Sequence, residues 1–149
     1  MKHMPISKSI YLIILVLSIA WQSVLAQPST SQNYVISNTV KQAGITNEPA
    51  VNALPIATQG KTQTIAYLDG LGRPLQNVTT QGSAGQKDIV TGIEYDPFGR
   101  EVKKYLPYAD QTSATYGSYK DNWNANQAAF YNGTLPNVDA DNAPYSLTV

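Results

Sequence analysis

Cysteine is absent from the 149-residue chain, and histidine occurs once, as His3. These two scarcities exclude Cys- or His-based proteases, a Ser-His-Asp triad, zinc held by His or Cys, His-ligated haem and any disulfide framework. No cofactor, no metal and no catalytic residue is therefore expected, and the chain reads as a non-enzyme. Charge is also sparse and balanced, with ten basic against ten acidic residues. Removing Lys2 and Lys8 with the N-terminal segment leaves eight against ten, a net charge near −2. A nucleic-acid partner, which needs a basic stripe to neutralise phosphates, is not expected. Long hydrophobic runs are missing apart from one. Residues 10–21 form an apolar stretch of 12, short of the roughly 20 that a membrane-crossing helix needs. Lys2 and Lys8 precede it and Val24-Leu25-Ala26 follows it, the pattern of a secretory signal peptide over residues 1–26 cleaved after Ala26. No Cys follows the run, so a lipid anchor is excluded. The mature chain is expected to be exported, to the extracellular space, the cell surface or the periplasm, with no stable membrane span.

What is present after Ala26 is β-rich. A polar lead-in, residues 27–33, precedes strand-forming residues 34–40. Gly44, Pro49, Pro55 and Gly60 leave room for one helical turn near residues 51–54. Short strands are expected at residues 61–68, 73–80, 88–95 and 100–106, separated by Gly- and Asp-containing turns. Strands this short and this closely spaced predict a mainly β fold, an antiparallel meander of hairpin repeats. One short helix is expected near the C-terminus, over residues 121–131. Asp121 would accept from its free N–H groups, Gly133 would end it, and Trp123, Gln127 and Phe130 would share a face. Residues 145–149 read as a final strand that stops in mid-pattern, which predicts that residues 34–149 are one β domain truncated at its C-terminus.

Two segments repeat at a spacing of 27 residues, Gly72 to Gly99. Their shared frame is Asp69-Gly-Leu-Gly72-Arg73-Pro-Leu and Asp96-Pro-Phe-Gly99-Arg100-Glu-Val, within repeats at 67–78 and 95–105. Tyr67 and Tyr95 precede the two aspartates at offsets that differ by one residue. The physics of the frame is a hairpin turn. Asp bonds N–H groups two residues on, and Gly supplies the positive φ that a side chain resists. Leu71 and Phe98 are expected to fold back onto the sheet. Arg73 and Arg100 are expected to pair with Asp69 and Asp96 or to stack on a tyrosine. A recurring unit favours a structural role for Tyr67, Asp69, Gly72, Arg73, Tyr95, Asp96, Gly99 and Arg100 over a catalytic one.

Tyr95-Asp-Pro-Phe-Gly-Arg100 and Tyr67-Leu-Asp-Gly-Leu-Gly-Arg73 resemble the tyrosine-aspartate (YD) repeats of Rhs proteins. With Asn33-Tyr-Val35, Tyr105-Leu-Pro-Tyr108, Gln127…Phe130-Tyr131 and Pro144-Tyr-Ser146, residues 33–149 are similar to the uncharacterised N-terminal domain of secreted Rhs/YD-repeat proteins from Bacteroidetes-type bacteria. The first copy departs from the pattern, since Leu68 separates Tyr67 from Asp69. The resemblance implies a scaffold that begins a β-strip shell, toxin-enclosing or cell-surface, whose partner is the rest of its own repeat array.

The rival reading is an extracellular carbohydrate-binding module. Ten aromatics lie between Tyr95 and Tyr145, and exposed Tyr116, Tyr119 and Trp123 would be the glycan contacts. The blander expectation is that tyrosines line a sheet, where they are favoured. Asp139, Asp141 and Asn142 carry closely spaced oxygen atoms but lack the Gly and distal Glu of a calcium loop. Glu94 and Asp96 sit on one strand face without further support for a glycosidase pair.

Overall fold

The computed structural model describes residues 28–56, 60–112, 115–134 and 145–147. The expected signal peptide, Gln27, the acidic stretch 139–142 and residues 148–149 lie outside them. In chain order the elements are β1 (Asn33–Val40), α1 (Glu48–Ala53), β2 (Lys61–Leu68), β3 (Pro74–Thr79), β4 (Ile89–Gly92), β5 (Lys103–Tyr105), β6 (Tyr108–Ala109), α2 (Trp123–Thr134) and β7 (Tyr145–Leu147). The fold is mainly β. Five strands form one antiparallel sheet in the order β1-β2-β3-β4-β6, and β5 pairs with β7 in a second, two-stranded sheet. No helix among the described residues is long and apolar enough to cross a membrane.

Period-two alternation sets which face is inside. In β2, Lys61, Gln63, Ile65 and Tyr67 are buried while Thr62, Thr64, Ala66 and Leu68 are half-buried. Register then carries the apolar row across the sheet, pairing Ile65 with Val78, Val78 with Val90 and Val90 with Tyr108. Those four side chains and Tyr67 form the core, covered by Tyr119, Trp123, Phe130 and Tyr131. Polar side chains fasten the cover. Gln76 donates to the Lys120 carbonyl (3.2 Å) and accepts from the Lys120 amide (2.9 Å). Tyr131 donates to the carbonyl of Pro107 (2.6 Å) and Gln127 to that of Leu106 (2.5 Å). A buried amide with both partners supplied stabilises; left unpaired it would cost about 1–3 kcal/mol.

The structure shifts several sequence boundaries. The short helix begins earlier than residue 51, because Asn47 caps it by accepting from the Ala50 amide (2.9 Å), and Leu54 is already extended. β5 leaves the main sheet, and β6, which follows Pro107, takes the place beside β4. At the far end, α2 starts at Trp123 rather than Asp121, which is exposed. Its expected face is confirmed, with Gln127 buried and Trp123 and Phe130 against the core.

Candidate functional site

The two Asp-x-x-Gly-Arg segments fold into the same turn. In the first, the Asp69 amide donates to the Arg73 carbonyl (2.9 Å) and the Gly72 amide to the Asp69 carbonyl (3.0 Å). Asp69 Oδ1 accepts from the amides of Leu71 and Arg73 (2.8 Å each), and Oδ2 accepts from Arg73 Nε (2.7 Å). Every one of these bonds recurs around Asp96, Phe98, Gly99 and Arg100, at 2.8–2.9 Å. Gly72 and Gly99 stand at φ +79° and +77°, the left-handed position of a hairpin bulge. An alanine at Gly72 would meet no neighbour but would still have to adopt that φ. Gly72→Ala is expected to cost about 1 kcal/mol in denaturant unfolding, purely from backbone strain.

The amide of Arg73, with the guanidinium and the Leu71 amide, holds the Asp69 carboxyl below the ordinary aspartate value; the amide of Arg100, with its guanidinium and the Phe98 amide, does the same for Asp96. A depressed folded-state pKa contributes stability above the unfolded value, and that contribution is lost as pH falls through the folded one. Both turns should therefore stay closed from neutral pH down to the ordinary aspartate value of 3.8 and open below it. Amide hydrogen exchange at Leu71, Arg73, Phe98 and Arg100 reports this directly. Opening well above 3.8 would contradict the turn geometry.

Leu71 and Phe98 do not fold back onto the sheet. They are 80 % and 83 % exposed. Their amides point inward to the aspartate oxygens, so the side chains project from the tip, and it is the arginine that folds back over each turn.

Pairing resolves the tyrosine offset. Leu68 pairs with Pro74 and Tyr95 with Glu101, so each pair joins the residue before Asp to the residue after Arg. Leu68 is thus the counterpart of Tyr95, and Tyr67 lies outside the frame. Tyr67 is a core residue: it is fully buried, donates to the Gly117 carbonyl (2.6 Å) and accepts from the Ser29 amide (3.0 Å). Burial pushes its hydroxyl pKa up. Tyr95 instead reaches across to the first turn. The Arg73 guanidinium lies over its ring at 4.5 Å, and its hydroxyl donates to the Pro74 carbonyl (3.0 Å). A side chain at Gly99 would meet Arg73 Nη1 at 2.8 Å, so the second turn closes directly against the first turn's arginine. The two copies interlock.

Of the three aromatics expected to touch glycan, Tyr116 is half-buried on the loop before Gly117. Tyr119 packs edge-on against Tyr67, with ring centroids 5.3 Å apart, and burial raises its pKa. Trp123 packs edge-on against Tyr105 at 4.8 Å. Tyr119 and Trp123 pack against the core from its cover.

Sequence reading missed a buried charge network beside them. Lys120 Nζ lies 2.9 Å from Asp88 Oδ2 and 3.6 Å from Asp110 Oδ2, and all three side chains are at most 4 % exposed. Asp88 also accepts from the amides of Gly117 (2.7 Å) and Gln81 (3.0 Å).

A family model described as a domain of unknown function, DUF6443, matches residues 37–149, well over half of the chain. The chain belongs to the DUF6443 family. The match takes in β2 to β7, and with them both turns of the DUF6443 domain and its charge network. No curated protein and no solved structure matches the chain.

Proposed function

We propose that this DUF6443 domain is a non-enzymatic scaffold module that opens an array of YD-type turns in an exported, extracellular or cell-surface Rhs-type protein, with the rest of that array as its partner. The observation that carries the reading is the difference between the two arginines. Arg73 is bonded to its own aspartate and covered by Tyr95 of the next turn, and its side chain is 39 % exposed. Arg100 makes the same bond to Asp96, rests on its own Phe98 ring at 5.3 Å and is 70 % exposed. A further turn laid against the second would cover Arg100 with its tyrosine as Tyr95 covers Arg73. Each added turn would then order the one before it, which is how stacked repeats gain stability from nearest neighbours. The apolar tips Leu71 and Phe98 offer additional surface to such neighbours.

The test is the full chain followed by a run of YD repeats, compared with its Arg100→Ala variant by limited proteolysis. The expected result is that the first added repeat resists cleavage behind the native chain and becomes labile behind Arg100→Ala. Equal cleavage of the two overturns the scaffold reading. Retention of the chain on a polysaccharide column, lost on Tyr116→Ala or Tyr119→Ala with the fold intact, would replace it with a carbohydrate-binding module.

A further inference from the structure

The buried charge network is unbalanced, and its imbalance faces a cleft. Asp88 and Asp110 contribute two negative charges and Lys120 one positive, leaving one buried negative charge uncompensated among these three. The ammonium has three protons. Acceptors within 3.1 Å of it among the described residues include Asp88 Oδ2 at 2.9 Å, the Thr115 carbonyl at 2.9 Å and Ser118 Oγ at 3.1 Å. Asp110 Oδ2, at 3.6 Å, is beyond hydrogen-bond reach. The other oxygen, Oδ1, accepts from Thr112 through its amide (3.1 Å) and hydroxyl (2.8 Å). Oδ2 accepts no hydrogen bond among the described residues, although Asp110 is only 2 % exposed. A buried carboxylate oxygen in that condition calls for a donor and, given the net charge, for a cation.

Asp110 and Lys120 line a cleft of about 230 Å³ that runs to the start of α2, where Asp121, Asn122 and Asn126 form the rim with Thr112. We propose that this cleft binds a small primary ammonium ion, which donates to Asp110 Oδ2 and compensates the buried charge. Three features separate an ammonium from other ligands. The lining carries oxygen acceptors besides Asp110, with Asp121, Asn122 and Asn126 among its side chains, and Asn126 donates its Nδ2 to Thr112 Oγ1 (3.0 Å). No group of three His, Cys, Asp or Glu side chains placed to hold a metal ion exists among the described residues, so a transition metal would lack its usual ligands. A neutral hydroxyl would satisfy Oδ2 but leave the charge. The proposal is independent of the repeat-scaffold reading, because neither turn touches the cleft.

The experiment is a titration of the ¹⁵N-labelled full chain with methylammonium chloride, followed by amide chemical shifts, against sodium chloride at the same ionic strength, calcium chloride and glucose. Saturating shifts confined to Asp110, Thr112, Lys120 and the first turn of α2, with methylammonium alone, are expected. Asp110→Asn should weaken that binding about tenfold or more, the loss of one charge-assisted bond. Asp110 also anchors Thr112, so Asn126→Leu, which fills the rim and keeps the carboxylate, serves as the second variant and should abolish the shifts. Equal shifts with sodium, stronger ones with calcium or glucose, no saturation, or binding indifferent to Asn126→Leu each overturn the proposal.

Discussion

Lys120→Met is expected to destabilise the protein by about 3–5 kcal/mol, the range for removing one partner from a buried ion pair. The side chain is 4 % exposed and stands between two aspartate side chains that are each 1 % exposed. Methionine matches its length and would fill the space. It would not satisfy the Thr115 carbonyl or Ser118 Oγ, and it would leave Asp88 and Asp110 facing each other across an apolar chain. The loss is large against the roughly 5–15 kcal/mol that holds a typical domain together. The backbone clamp between Gln76 and residue 120 is indifferent to the side chain and survives, so the loss reports the ammonium's own bonds and charge. Urea unfolding followed by tryptophan fluorescence measures it. Adding Asp88→Asn and Asp110→Asn to Lys120→Met should recover part of the loss, because the uncompensated charges go. A single-mutant effect below about 1 kcal/mol, the level of an exposed pair, would mean that water reaches the network.

How far the sequence discloses this molecule depends on the range of the interaction. The turns were legible because everything that makes them lies within five residues: an aspartate to accept, a glycine for the left-handed step and an arginine to close. The bounds of β2, residues 61–68, were legible from its alternation, but not its buried face, which carries Lys61 and Gln63 beside Ile65 and Tyr67. Tip direction was not legible. Large apolar residues at Leu71 and Phe98 look like core, yet the amide bonds to the aspartates turn them outward. β6 escaped because it is two residues long, follows Pro107 and exists only through its register with Ile89 and Val90. The Lys120 network is the extreme case. Its members are separated by 10 to 32 positions, each reads as an ordinary loop charge, and only the fold brings them together. The offset between Tyr67 and Tyr95 was visible in the sequence, but its meaning was not. One tyrosine belongs to the core and the other to the lock between turns, a distinction that strand pairing alone reveals.

Gly92→Ala should be nearly as damaging, by about 2–3 kcal/mol, in the range of core overpacking. A Cβ at this position would lie 2.2 Å from Cδ2 and Cε3 of Trp123 and 2.4 Å from Cε2. The obstruction is a rigid bicyclic ring rather than a flexible chain end. The indole is also held by Tyr105, edge-on at 4.8 Å, and Tyr105 is itself buried and bonded to Glu94 Oε2 (2.5 Å). Relief would require α2 to lift from the sheet, carrying Gln127 and Tyr131 away from the Leu106 and Pro107 carbonyls. Burying one methyl returns at most about 1 kcal/mol, too little to offset that displacement. Trp123→Ala opens a hole at the same contact and is expected to cost about 3 kcal/mol. The double variant decides the mechanism. If the Gly92 effect is a clash with the indole, Gly92→Ala becomes close to neutral once the ring is gone, and the two losses are far from additive. Additive losses would show that Gly92 is needed for backbone freedom in β4, and that α2 docks on the sheet without depending on the missing side chain.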